Sequence, residues 1–151
     1  MTANRIGFFS ADIRHSLRNK TILRRWMERS VAIEGHTVQF VNIILCSDKY
    51  LHELNVQYLN HDTYTDIITF DQSEKKGNRL SVAGELYISH ERVKENARVF
   101  GVPTAQELHR VMIHGILHLM GYKDKSKSQA ATMRDKENEC LAMLDDLLKA
   151  N

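Results

Sequence analysis

The sequence predicts an α+β domain, and three observations carry that reading. Short stretches rich in β-branched and apolar residues are interspersed with longer stretches whose apolar residues recur at helical spacing, without a strict strand–helix alternation. The chain has 151 residues, one proline and no repeat, linker or low-complexity tract, which fits a single domain over 1–151. Hydrophobic residues make up 42% of it, enough for a sizeable core.

Taken in order, Ile6-Gly7-Phe8-Phe9 reads as a short strand. Lys20 to Ile33 reads as an amphipathic helix, with Ile22, Leu23, Trp26, Met27 and Ser30 on one face. Trp26 is read as a core residue because of this company, ahead of a base-stacking role. Thr37 to Leu45 is a strand by composition. Ser47 or Asp48 caps a helix running to about Leu59, and Asn60-His61-Asp62-Thr63 forms a turn. Asp66 to Phe70 is a second short strand. Gln72 to Arg79 is a polar loop, and Leu80 to Ile88 is a further strand. Ser89 opens a helix to about Phe100, which Gly101-Val102-Pro103 breaks. Thr104 and Glu107 have capping-box spacing at the head of the next helix. Its apolar residues Leu108, Val111, Met112, Ile116, Leu117, Leu119 and Met120 cover much of the circumference, as expected of a central helix. A long helix from about Gln129 to Lys149 closes the chain. The expectation is four strands and about five helices.

No run of eighteen apolar residues exists, so no membrane span is expected, and Met1–Ser10 lacks the apolar core of a secretory signal. Cys46 and Cys140 have no metal spacing and read as reduced thiols of a cytoplasmic protein. Net charge is only +2. Its distribution is more informative: Arg5, Arg14, Arg18, Lys20, Arg24, Arg25 and Arg29 stand against Asp12 and Glu28 near the N-terminus. That segment is either a solvated helix face or a phosphate contact.

The densest chemical signal is His114-Gly-Ile-Leu-His118-Leu-Met-Gly121-Tyr-Lys-Asp124. Positions i and i+4 project from nearly the same side of a helix, so two imidazoles there can grip one ion. Gly121 can end the helix in a left-handed conformation and turn the chain back, bringing Asp124 to the same ion. The layout is similar to the metzincin ligand pattern with its third histidine replaced by Asp124. Gly115 stands where a zinc peptidase has its general-base glutamate, which counts against peptide cleavage. Buried histidines bonded to neighbours are the plainer alternative. His15, His36, His52, His61, His90 and His109 show no ligand spacing. Lys123, Lys125 and Lys127 flank Asp124 and would either draw a polyanion to a metal or simply stay in water.

The run from His114 to Asp124 resembles the YbeY family, bacterial rRNA maturation factors described as metal-dependent endoribonucleases. The match falls on His114, Gly115, Leu117, His118, Leu119, Gly121 and Tyr122. Leu54-Asn55 with Tyr58, the run Thr65-Asp66-Ile67-Ile68-Thr69-Phe70, and Gly84-Glu85-Leu86-Tyr87-Ile88-Ser89 are similar to two further blocks of the family. The resemblance implies a small mixed four-stranded sheet flanked by helices. It also implies a Zn²⁺ site at His114, His118 and Asp124, and RNA, specifically rRNA on the ribosome, as partner. Asp66 and Glu85 are candidate supporting or base residues, and Lys123, Lys125 and Lys127, read from their place beside Asp124 rather than from the resemblance, are the candidate substrate-binding cations. The chain departs from the family at Asp124, where a third histidine is expected, and at Lys123, where an acid is. It departs again at Leu59, where an arginine commonly stands, and at Glu85, where an aspartate does. Competing expectations are a ribosome-assembly factor with a structural metal and a metallopeptidase-like hydrolase.

Overall fold

The computed structural model describes residues 4–151; the N-terminal part of the signal-peptide expectation, residues 1–3, lies outside the described residues. Ten elements follow one another. They are β1 (Ile6–Ser10), α1 (Lys20–Ile33), β2 (Thr37–Cys46), α2 (Asp48–Leu59), β3 (Ile67–Asp71), β4 (Glu74–Lys76), β5 (Arg79–Ser89), α3 (His90–Phe100), α4 (Thr104–Leu119) and α5 (Lys127–Lys149). The order across the sheet is β1-β2-β5-β3, with β4 also paired to β5. β1, β2 and β5 run parallel, whereas β3 and β4 run antiparallel to β5. The fold is therefore the expected α+β type with a mixed sheet and five helices.

The fifth strand is a difference from expectation. Glu74–Lys76 falls inside the segment read as a polar loop, and all three residues are exposed. A strand that buries neither face carries no apolar alternation to read. Its signal lay in the turn instead, since Lys76 pairs with Arg79 across Gly77-Asn78, a two-residue hairpin connection.

The sheet has two unlike faces. On β5, Leu86 and Ile88 belong to the main core with Val41, Ile43 and Leu45 of β2. That face is covered by α1 and α4, with α3 and α5 packed behind. The other face carries Ile68, Phe70, Tyr87 and Cys46 against Tyr50, Leu51 and Leu54 of α2. Trp26 is fully buried in the main core, and its indole N–H donates to the Cys140 carbonyl at 2.7 Å. Both cysteines are buried and free.

α4 lies directly against the sheet because residue 115 has no side chain. A Cβ there would meet Ile67 Cδ1 and Leu86 Cδ1 at 2.8 Å each. Glycine weakens a helix interior by roughly 1 kcal/mol, which close apolar packing offsets here. The capping box expected at Thr104–Glu107 is not made. Pro103 is the N-cap, no side chain caps the helix, and Glu107 is turned inward and buried. A capping box does form at α5, between Ser126 and Gln129. Among the described residues no helix is long and apolar enough to cross a membrane.

Candidate metal centre

The site is built on the last turn of α4. Gly121, at φ +99°, ends the helix in the left-handed region. The Tyr122 N–H then donates to the Leu117 carbonyl at 3.1 Å and the Gly121 N–H to the His118 carbonyl at 3.0 Å. Those two bonds form a Schellman motif, and they set the direction in which the chain leaves the helix. The reversed loop carries Asp124 back over the histidines.

The three side chains converge. His114 Nε2 lies 3.0 Å from His118 Nε2, and Asp124 Oδ2 lies 3.3 Å from each. Among the described residues these three form the one cluster of ligand-type side chains close enough to share an ion. Donors bonded to a tetrahedral ion at about 2.0–2.1 Å stand about 3.3 Å apart, so the spacing fits such an ion.

The proton arrangement strengthens the fit. His118 Nδ1 lies 2.9 Å from the Tyr122 carbonyl, which can only accept, so Nδ1 carries a proton. His114 Nδ1 lies 2.7 Å from Glu137 Oε2. Burial would raise the Glu137 pKa, but its bonds to His114 and Arg110 outweigh this and hold it below the ordinary carboxylate value. Glu137 is therefore ionised and accepts from Nδ1. In the neutral form of both histidines, two Nε2 lone pairs and a carboxylate oxygen then face one another. That convergence is repulsive unless a cation fills it.

Glu137 and Arg110 complete the support. Glu137 is 5% exposed, and Arg110 Nη1 donates to its Oε1 at 2.9 Å while Nη2 donates to Asn138 at 2.9 Å. Burial opposes a charge on His114, but Glu137, with Asp124 and Asp66, overcomes it and raises the His114 pKa above the ordinary value. Neither Glu137 nor Arg110 was anticipated. Glu137 nonetheless had a signal: it continues the buried stripe Met133, Cys140, Leu144 and Leu147 along α5, where an acid has no packing reason to be.

The expected auxiliary residues divide. Asp66 precedes β3 and lies within electrostatic reach of His114, with burial raising its pKa. Glu85 does not join it. Successive residues of a strand point to opposite faces. Leu86 meets α4, whereas Glu85 shares its face with Tyr87, which packs on Tyr50 and Phe70. Lys123, Lys125 and Lys127 are all exposed beside Asp124 and make no ion pair among the described residues. Leu59 is 42% exposed at the end of α2. Other histidines lie outside the centre: His36 accepts from the Leu80 N–H, His52 pairs with Asp62, and His109 lies edge-on to Trp26.

The family model described as endoribonuclease YbeY matches residues 10–145. The chain belongs to the YbeY family. An endoribonuclease YbeY of Cytophaga hutchinsonii is 43% identical over 143 residues, covering 95% of this chain and 98% of the relative. One of Flavobacterium psychrophilum is 47% identical over 135 residues, covering 89% and 94%. A solution structure of a Thermotoga maritima protein superposes with a TM-score of 0.66 at 31% identity, covering 97% of this chain and 93% of that one. The YbeY resemblance read from the His114–Asp124 run is thus borne out along nearly the whole chain.

Proposed function

We infer that residues 1–151 form one metal-dependent hydrolase domain, an endoribonuclease acting in rRNA maturation. The observation that carries the hydrolytic reading is the convergence of three lone-pair donors whose two imidazoles are already oriented through Nδ1. Membership of the YbeY family supplies the substrate class.

His114, His118 and Asp124 are the residues that would hold the ion, and zinc suits two imidazoles with a carboxylate. A bound zinc would polarise a phosphoryl oxygen and activate water near neutral pH. The protein's own groups then do the rest. Glu137 and the Tyr122 carbonyl hold the imidazoles in the Nδ1–H tautomer. Asp66 is the candidate proton acceptor, because burial raises its pKa toward the working range. Lys123, Lys125 and Lys127 attract the RNA backbone to the mouth of the site. The working compartment is the cytoplasm, where rRNA precursors assemble on the ribosome.

The peptidase alternative meets a steric obstacle. A Cβ at residue 115 would come within 2.8 Å of Ile67 Cδ1 and Leu86 Cδ1, so the glutamate of a zinc peptidase would fit there only if these core side chains repacked.

The test is cleavage of a structured rRNA precursor by zinc-loaded protein. His114→Ala and chelation should both abolish it. Asp66→Asn should keep zinc stoichiometry and lower kcat by about 10²–10⁴-fold. Equal cleavage by wild type and His114→Ala would overturn the reading.

A further inference from the structure

A second basic feature lies away from the metal loop. Between the edge strand β1 and helix α1 runs a groove of about 810 Å³. Arg5, Arg24, Arg25 and Arg29 line it, and Glu28 is the one acid among its lining residues. Its formal charge is therefore strongly positive. Among the described residues, no carboxylate pairs with any of these four guanidinium groups. Outside the groove Arg92, Arg98, Arg110 and Arg134 have carboxylate partners, while among the described residues Arg14, Arg18 and Arg79 have none; what distinguishes the groove is that four such arginines line one cleft.

Two of the four arginines are fixed in place. Arg24 Nε donates to the Ile6 carbonyl at 2.9 Å, and its guanidinium lies 5.2 Å from the Phe8 ring centroid. Arg5 Nη1 donates to the Val38 carbonyl at 3.2 Å. A guanidinium has five N–H donors, so each keeps most of them free. Arg25 and Arg29 are exposed and four residues apart, hence on one side of α1 and about 6 Å apart along its axis. Four like charges gathered in one groove repel one another, and a string of phosphates relieves that repulsion. Arginine also offers the paired donors that match phosphate oxygens.

The groove is mechanically tied to the metal loop. Glu34, the C-cap of α1, accepts from the Tyr122 hydroxyl at 2.8 Å, and the Tyr122 carbonyl orients His118. Arg29 is five residues before Glu34, about 8 Å along the helix axis.

We propose that the β1–α1 groove is a second RNA-binding surface, gripping the phosphodiester backbone of substrate remote from the cleaved bond. This rests on the endoribonuclease reading above. It predicts that affinity for a long RNA depends on arginines that no metal ligand touches.

The test measures binding of a single-stranded RNA of about 20 nucleotides by fluorescence anisotropy between roughly 50 and 200 mM salt. All proteins carry His118→Ala so that the RNA stays intact. Each phosphate contact contributes about 0.7 to the slope of log K against log salt for a single strand. Arg25→Ala/Arg29→Ala should lower that slope by about 1.4 and weaken binding at low salt by at least about tenfold. Arg25→Lys/Arg29→Lys should restore most of the slope. Arg98→Ala, which removes a paired arginine on α3, should leave it unchanged. Thermal melting checks that every variant is folded. An unchanged slope in the double alanine variant, with RNA still bound, overturns the groove assignment and leaves the nuclease reading standing. Loss of binding to anionic lipid vesicles but not to RNA would also overturn it. Failure of the His118→Ala parent to bind any RNA, together with failure of the zinc-loaded wild type to cleave any, sinks both readings.

Discussion

Glu137→Gln isolates the contribution of one buried carboxylate to the metal centre. Shape is nearly conserved, so the change acts on charge and on the proton. In the native site Oε2 lies 2.7 Å from His114 Nδ1 and Oε1 lies 2.9 Å from Arg110 Nη1. A glutamine amide can donate to Nδ1 as readily as it can accept from it. His114 is then free to place its proton on Nε2, the atom that must face the ion. A carboxylate behind a ligating histidine supports affinity by about 10–100-fold. The expected loss of zinc affinity is therefore about 1.4–2.7 kcal/mol. The metal-free fold also loses stability, because Arg110 loses the carboxylate charge that balances it, although the amide oxygen and Asn138 can still accept its hydrogen bonds. A loss of roughly 1–3 kcal/mol is expected from that uncompensated, partly buried cation. Zinc affinity is measured by competition with a chromophoric chelator near about pH 7.5, and stability by thermal melting of the metal-free forms. Glu107→Gln is the control, since Glu107 is buried nearby but bonds to neither imidazole. A Glu137→Gln protein that is folded and binds zinc within about twofold of wild type would refute the reasoning.

Two further outcomes follow from the same structure. The His114 pKa is raised above 6.5, so its bond to Glu137 stabilises the metal-free fold fully below that value and is lost as pH rises through the folded-state pKa. Glu137 is lowered below 4.5, so its share is present above 4.5 and is lost as pH falls through the depressed value. The metal-free Tm should accordingly fall above the 4.5–6.5 window, whereas the zinc-loaded protein, whose ligand imidazoles hold no competing proton when folded, should gain stability as pH rises toward 6.5 and level off above it. Scanning fluorimetry with and without chelator checks this, and parallel slopes would contradict it. Separately, Gly84→Ala would press a Cβ onto the Phe70 carbonyl oxygen of the paired strand and within 3.0 Å of Leu119 Cδ2. Backbone cannot yield as a side chain can, so a destabilisation of roughly 1–3 kcal/mol is expected by urea denaturation. A change below about 0.5 kcal/mol would show that the strands separate easily there.

Most of the fold was legible because its elements bury one side. α1 advertised Ile22, Leu23, Trp26, Met27 and Ser30 at helical spacing; the last four are buried and Ile22 is half-buried. β4 was not legible in the same way, because Glu74, Lys75 and Lys76 bury nothing. The capping box was misplaced for a related reason. Thr104 and Glu107 have the right spacing, but Glu107 is drawn into the interior, where Asp66, Arg110 and Arg134 lie within electrostatic reach. Local spacing cannot report a pull that originates on other elements. The metal donors were legible because two lie on one helix face and the third follows a glycine that reverses the chain. Glu137 and Arg110 were not, since only tertiary packing of α5 on α4 brings Glu137, 23 residues after His114, against the imidazole and against Arg110, which lies one turn before His114 on α4. The phase of Glu85 was not legible, because which face a strand residue takes is fixed by what packs on its neighbours.

Asp124 alters the charge balance of the centre. Two neutral imidazoles and one carboxylate leave a divalent ion with a formal charge of +1, where three imidazoles would leave +2. Glu137 behind His114 removes more positive potential, and Arg110 and Arg134 return part of it from the far side. An ion so screened is a weaker attractor for a phosphate at long range. On the endoribonuclease reading the long-range attraction would fall to protein cations that do not touch the donors. Lys123, Lys125 and Lys127 occupy that position beside Asp124, and the arginines of the β1–α1 groove extend it away from the loop. On that reading, recruitment of RNA and polarisation of its scissile phosphate would be separate tasks in this chain. Raising salt should weaken the first through screening while leaving the donor geometry that serves the second intact.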